Sequence, residues 1–206
     1  MPVVTGDAFE AVVLAAGSGS RFGGGKLLAT WGAGVLLEGA LAAAFAAPVR
    51  SVTVVIGADA QAVAAAARSF DARTVIVHAG DFAEGMGASL RSGIASLPPD
   101  AAGAFVFLGD MPRVPTAVLR AMAEAVTAGA VAAAPVFEGR RGNPVLLSSP
   151  LFPDLLALTG DAGARGLLQG LGERLALVES PDDGVLFDVD RVSDLSARPG
   201  ESRDPK

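Results

Sequence analysis

The chain has 206 residues, 51% hydrophobic and 18% charged, with a formal charge of -6 and no Cys. That length suits one full α/β domain better than two small ones, each of which would bury too little of its own surface, and the composition argues against a disordered chain. The charge excludes a protein that grips a nucleic-acid backbone by general electrostatics, and the lack of Cys excludes disulfides, thiolate metal sites and Cys nucleophiles, in keeping with a reducing, cytoplasmic compartment.

Residues 1–7 carry no basic segment ahead of an apolar run and do not read as a secretory signal. The Ala-rich stretch 34–47 contains Glu38 and stops at Pro48, too short and too interrupted to span a membrane. A soluble protein with neither a membrane nor a nucleic-acid partner is expected. Four short apolar runs, 11–16, 51–56, 73–77 and 104–108, have the length and unbroken hydrophobicity of buried parallel strands. Each precedes a helix-like segment, at 35–47, 58–70, 88–96 and 115–128. The alternation predicts a single-domain α/β fold, a Rossmann-like, doubly wound and mostly parallel sheet with right-handed crossovers. Beyond 131–135 the pattern becomes irregular, with a turn at 138–142, a short apolar run at 145–147 and helices at 150–157 and 162–171, a small subregion expected to shape a pocket. The runs 175–178 and 185–189 read as late strands. One domain over 1–196 is expected, with the polar residues 197–206 as a mobile tail.

The first strand leads into Gly17-Ser18-Gly19-Ser20-Arg21-Phe22-Gly23-Gly24-Gly25-Lys26, at the carboxyl end where open sheets bind ligands. Its glycines let the backbone approach a polyphosphate and offer N–H groups, while Arg21 and Lys26 add positive charge for a ligand that the net charge would repel. Leu27 after Lys26 departs from a Walker loop, and Ile56-Gly57 stands where a dinucleotide fold would place an acidic residue. The fourth strand ends in Gly109-Asp110-Met111-Pro112, setting a carboxylate at the same edge as a metal ligand or, alternatively, as a turn residue. In Phe187-Asp188-Val189-Asp190 the two carboxylates, two apart on a strand, share a face, so either could join Asp110 on a magnesium ion. The single His, His78, lies at the end of the third strand and stays outside the catalytic set; Trp31 packs or stacks on a base.

The run from Leu14-Ala15-Ala16-Gly17 to Lys26, with Gly109-Asp110-Met111-Pro112 and Asp188-Val189-Asp190, resembles the MobA-like nucleotidyltransferases, in particular their molybdenum cofactor cytidylyltransferase branch. The resemblance extends through Glu84-Gly85-Met86-Gly87-Ala88-Ser89-Leu90-Arg91, Gly142-Asn143-Pro144-Val145 and Gly160-Asp161-Ala162-Gly163-Ala164-Arg165, in the family's order. It implies the nucleotide-diphospho-sugar transferase type of fold and transfer of a nucleoside monophosphate from a nucleoside triphosphate to a phosphorylated acceptor. Implied nucleotide contacts are Leu14, Ala15, Ala16, Gly17 and Gly19, with Arg21 and Lys26 on the triphosphate, and Mg2+ is held by Asp110 and Asp190. Asp81 falls at the family's further nucleotide-contacting carboxylate, or else caps the turn after it. Ser89, Arg91, Asn143 and Arg165 would line the acceptor side. Ala15-Ala16, where the guanylyl-transferring relatives have a second glycine, leans towards CTP, with molybdopterin as the favoured acceptor and a sugar or polyol phosphate as the alternative. Arg191-Val192 replaces the family's Thr-Pro. The rival classes are an NAD(P)H-dependent oxidoreductase and a non-catalytic nucleotide-binding protein on the same scaffold.

Overall fold

Strand β1 (Phe9–Ala15) is buried along nearly its whole length, as a strand flanked on both sides of a sheet must be. In the computed structural model, which describes residues 8–158, 160 and 163–196, it pairs in parallel with β4 (Val52–Ile56) on one side and β6 (Gly103–Leu108) on the other. Between β1 and β4 come a small antiparallel ribbon, β2 (Thr30–Trp31) with β3 (Gly34–Val35), and helix α1 (Leu36–Ala46). Helix α2 (Ala60–Phe70) leads to β5 (Val75–His78), which closes one edge against β4. Helix α3 (Met86–Ala95) returns the chain to β6, and α4 (Ala117–Thr127) leads on to β7 (Ala132–Phe137).

A tight turn joins β7 to the short β8 (Arg140–Arg141), and β9 (Val145–Ser148) slots antiparallel between β6 and β7. Helices α5 (Phe152–Leu156) and α6 (Arg165–Gly170) precede β10 (Leu175–Glu179), parallel to β7 at the far edge. The main sheet order is β10-β7-β9-β6-β1-β4-β5, with β8 on β7. Alternate residues of the central strands face two apolar layers. Val13 and Val54 pack with α1, α2 and α4, while Val12 and Val55 pack with α3, α5 and α6.

The mostly parallel, doubly wound α/β sheet agrees with the alternation read from the sequence, and three segments differ from it. The Ala-rich stretch 132–137 is a full strand despite Pro135. Residues 185–189 form no strand: a 3-10 turn, Asp183–Leu186, is followed by extended chain that joins no ladder. That segment is apolar because Phe187 and Val189 pack with Leu36, Trp31 and Phe22 in a third, smaller cluster beside the sheet's carboxyl edge. The 162–171 helix is shorter than expected, starting at Arg165. The expected tail 197–206 and residues Asp161 and Ala162 lie outside the described residues.

Candidate active site

Chain order reverses around β1: from β1 the strands run outward through β4 to β5, then jump back to β6 on its other side. The crevice this creates at the carboxyl ends of β1 and β6 is the ligand position of open α/β sheets. The Gly109 N–H donates to the Leu14 carbonyl at 2.9 Å, so the two strand ends remain joined beyond the ladder and set Asp110 beside the loop that follows β1. Met111, 3% exposed, roots the Asp110 turn in the core.

That loop winds on one carbonyl. The Gly19 oxygen accepts from the N–H groups of Phe22, Gly23 and Gly24 at 2.9, 3.2 and 3.2 Å. Gly19 has φ 59°, and a Cβ there would stand 3.0 Å from the Cβ of Lys26. A side chain at position 19 would therefore be strained and would press on the lysine stem. The loop ends in a 3-10 turn, Lys26–Leu28, pinned by buried Leu27.

Lys26 is the hub of the charges. Its Nζ lies 2.6 Å from Asp110 and 3.8 Å from Asp190, with its side chain 14% exposed. Arg21 Nη1 reaches Asp190 at 3.1 Å from a largely exposed position, where solvent screening leaves a pair little strength. The two carboxylates thus converge from β6 and from the segment after β10. The Asp190 and Arg191 N–H groups both donate to Asp194 Oδ2, at 2.9 and 2.7 Å, so the Asp194 side chain shapes the backbone where Arg191-Val192 departs from the family pattern.

Beside this hub opens a cleft of about 650 Å3, within the range of small-molecule sites. One wall is Leu14, Ala15, Ala16, Gly17, Ser18 and Gly19, with Lys26 and Asp110; the other is Phe82, Ala83, Gly85, Met86 and Ser89. Ser89 is 5% exposed. It shares one cleft with the glycine-rich loop. Phe82 was not singled out in the sequence, and Met86 only as part of the family-like run Glu84 to Arg91. Phe82 also presses on Gly57, where a Cβ would come within 2.5 Å of its ring.

The remaining candidates sit elsewhere. Asp81 precedes the 3-10 turn Phe82–Glu84 but makes no side-chain cap; its carboxylate takes a short hydrogen bond from Arg91. Arg91 also donates to the Leu158 carbonyl at 2.6 Å and to Glu84 at 3.4 Å. The Asp81 carboxylate, with Glu84 behind it, raises the Arg91 guanidinium above its ordinary pKa against the opposing effect of desolvation. Arg91 thus ties the Phe82 turn to the loop after α5, outside the cleft lining. Asn143 precedes a cis peptide bond to Pro144, and its N–H donates to the Val185 carbonyl at 2.9 Å. Arg165 is exposed at the start of α6 and lines no part of the cleft. Among the described residues no helix is long and apolar enough to cross a membrane.

Comparison with known proteins agrees with this geometry. The MobA-like NTP transferase domain matches residues 11–177. A protein 31% identical over 203 residues, covering 95% of this chain and 96% of its own, is the nicotine blue oxidoreductase of Paenarthrobacter nicotinovorans. Rv0371c of Mycobacterium tuberculosis H37Rv superposes with a TM-score of 0.78 at 30% identity, over 92% of this chain and 96% of that one. A second structure of Rv0371c is a complex with manganese, with a TM-score of 0.70 at 27% identity over 85% and 89% of the two chains. A nucleotidyl transferase from Methanothermobacter thermautotroptrophicus superposes with a TM-score of 0.76 at 27% identity, over 91% and 94%. The family match takes in β1, the glycine-rich loop, Lys26 and Asp110, and the chain belongs to the MobA-like NTP transferase domain family as a nucleotidyltransferase.

Proposed function

We propose that the protein transfers a nucleoside monophosphate, CMP in preference, from a nucleoside triphosphate to a phosphorylated acceptor, molybdopterin in preference, with release of pyrophosphate and dependence on Mg2+. The observation that carries this reading is the convergence of Asp110 and Asp190 on Lys26 at the mouth of the cleft walled by Leu14 to Gly19. The donor set suits a hard divalent cation, because the Asp110 and Asp190 carboxylates, both oxygen donors, reach one ammonium. Magnesium takes one or two carboxylates and leaves its other positions to phosphate and water. Asp110 and Asp190 would hold it, and when bound it neutralises charge on the phosphate oxygens.

Leu14, Ala15, Ala16, Gly17 and Gly19 hold the nucleotide against the cleft wall. Lys26 and Arg21 bring positive charge to the triphosphate, and the glycine-rich loop offers backbone N–H groups. An oxygen of the acceptor phosphate, already an anion, attacks the α-phosphorus without a general base. A new P–O bond forms as the bond to the β-phosphate breaks, and pyrophosphate leaves opposite the nucleophile. Ala15-Ala16 supports cytidine over guanosine by resemblance. A sugar or polyol phosphate is the alternative acceptor.

The test is pyrophosphate release with Mg2+ and each of CTP, GTP, ATP and UTP, with and without molybdopterin, beside Asp110→Ala. Acceptor-dependent release with CTP that Asp110→Ala abolishes supports the proposal. Silence with every acceptor and every nucleotide sinks it. The relative named as an oxidoreductase favours a second reading, in which the same cleft serves NAD(P)H-dependent reduction. Consumption of NADPH with a quinone-like acceptor, in the absence of any nucleoside triphosphate, would establish that reading in place of the first.

A further inference from the structure

Asp190 reaches the site on a strap, residues 182–190, that belongs to no sheet. Ladder hydrogen bonds therefore cannot place it: the Asn143 N–H on the Val185 carbonyl and the packing of Phe187 and Val189 with Leu36 and Trp31 hold it on one side, and on the other it makes a few contacts with the loop after β6. Arg113, three residues beyond Asp110 in that loop, supplies most of them. Its Nη2 donates to Asp183 Oδ1 at 3.0 Å, its guanidinium carbon lies 4.4 Å from the centre of the Phe187 ring, and its side chain is 14% exposed. Its carbonyl sits so close to the strap that a Cβ on Gly184 would come within 2.1 Å of it. The Val189 N–H then donates to the Asp110 carbonyl at 3.0 Å, and the next residue is Asp190.

We propose that Arg113 is a positioning residue for the reaction: it clamps the strap through Asp183 and Phe187 and thereby sets the Asp190 carboxylate beside Asp110. The inference rests on the reading that Asp110 and Asp190 together hold a divalent cation. Arg113 is outside the cleft lining, so its effect passes through the strap. The planar guanidinium can bond a carboxylate at its edge while stacking on a ring with its face, which a lysine ammonium cannot do. One short loop thus carries one carboxylate of the pair and the clamp for the other. The strap also has a built-in reporter, because Phe187 packs against Trp31, the single Trp of the chain, with ring centres 6.0 Å apart.

The experiment titrates Mn2+ into the full chain with CTP present, reading free Mn2+ by electron paramagnetic resonance, for wild type, Arg113→Met, Arg113→Lys, Asp190→Asn and the double variant Arg113→Met/Asp190→Asn. Removing a group that orients a metal ligand costs about 10–100-fold in affinity. Arg113→Met is expected to weaken Mn2+ binding about tenfold by that rule, with Arg113→Lys between it and wild type. The double variant is expected to bind no more weakly than Asp190→Asn, since the clamp acts only through that carboxylate. Acrylamide quenching of Trp31 should rise in Arg113→Met. Wild-type Mn2+ affinity in Arg113→Met, or losses that multiply in the double variant, would overturn the proposal. Wild-type affinity in Asp190→Asn would strike first the reading of Asp190 as a ligand, and the clamp with it. Should Arg113→Met not fold, Asp183→Asn removes the same contact from the strap side, and undiminished Mn2+ affinity there would overturn the clamp.

Discussion

Lys26 carries the charge balance of the site, because one half-hidden ammonium serves carboxylates from two distant parts of the chain. Replacing it by Met leaves Asp110 without its ammonium partner and Asp190 with only the exposed Arg21, and takes positive charge from the proposed triphosphate site. Lys26→Met and Asp110→Asn are each expected to lower kcat/KM for pyrophosphate release by about 100-fold or more, the scale of losing one preorganised electrostatic contact. Neither group is fully buried, so both variants should keep a melting temperature close to wild type, and thermal unfolding beside the assay checks this. Lys26 and Asp110 were legible in the sequence because Lys26 closes the glycine-rich loop after one clear strand and Asp110 stands in the turn directly after another. Asp81 and Arg91 were also legible, but as contributors to two different subsites. That they bind each other depends on how the turn before α3 folds back on the helix, which residue types ten positions apart do not specify.

Among the elements, the strap after β10 departs furthest from the sequence reading. Its alternation of Val185, Phe187 and Val189 has the period of a strand, but Val185 enters the main core from a 3-10 turn while Phe187 and Val189, in extended chain, pack with Leu36 and Trp31. Hydrophobic period reports which side is buried and is blind to whether a ladder partner exists. Gly184→Ala tests how tightly the strap must sit, since the added methyl meets the Arg113 carbonyl. We expect a loss of about 1–3 kcal/mol in stability, the usual cost of overpacking. Turnover should fall further than stability accounts for, because Asp190 moves with the strap; chemical denaturation and the pyrophosphate assay on the same sample separate the two. Strands β1, β4 and β6 were legible by contrast, because burial on both faces leaves them unbroken apolar runs. β7 was obscured by its three alanines and Pro135, residues with little strand preference, and forms because β9 and β10 flank it.

For the molecule as a whole, a formal charge of -6 coexists with a site that gathers Arg21, Lys26 and backbone N–H groups at one sheet edge. Near the opposite ends of the central strands, Arg50 joins the buried Glu10 carboxylate at 2.6 Å to Asp100 at 2.8 Å, and Ser51 adds a hydrogen bond to Glu10 at 2.6 Å. The Arg50 guanidinium holds the Asp100 carboxyl below its ordinary value of 3.8, against a smaller opposing effect of desolvation. A carboxyl depressed in the folded state stabilises the fold above its unfolded pKa, and that stability is lost as pH falls through the folded value. The melting temperature should therefore decline below a pH of about 4, and Asp100→Asn should remove part of that decline; an unchanged acid profile would contradict the role given to the cluster. The sequence by itself determined the alternation of strands and helices, the sheet edge that carries the loop and the chemistry of its residues, because periodicity, glycine spacing and side-chain type are local properties. Only the tertiary structure decided that Asp190 arrives on a strap held by Arg113, that Arg91 binds Asp81, and that Phe82, Met86 and Ser89 face the glycine-rich loop. Those outcomes depend on which distant segments the packing of both sheet faces brings into contact.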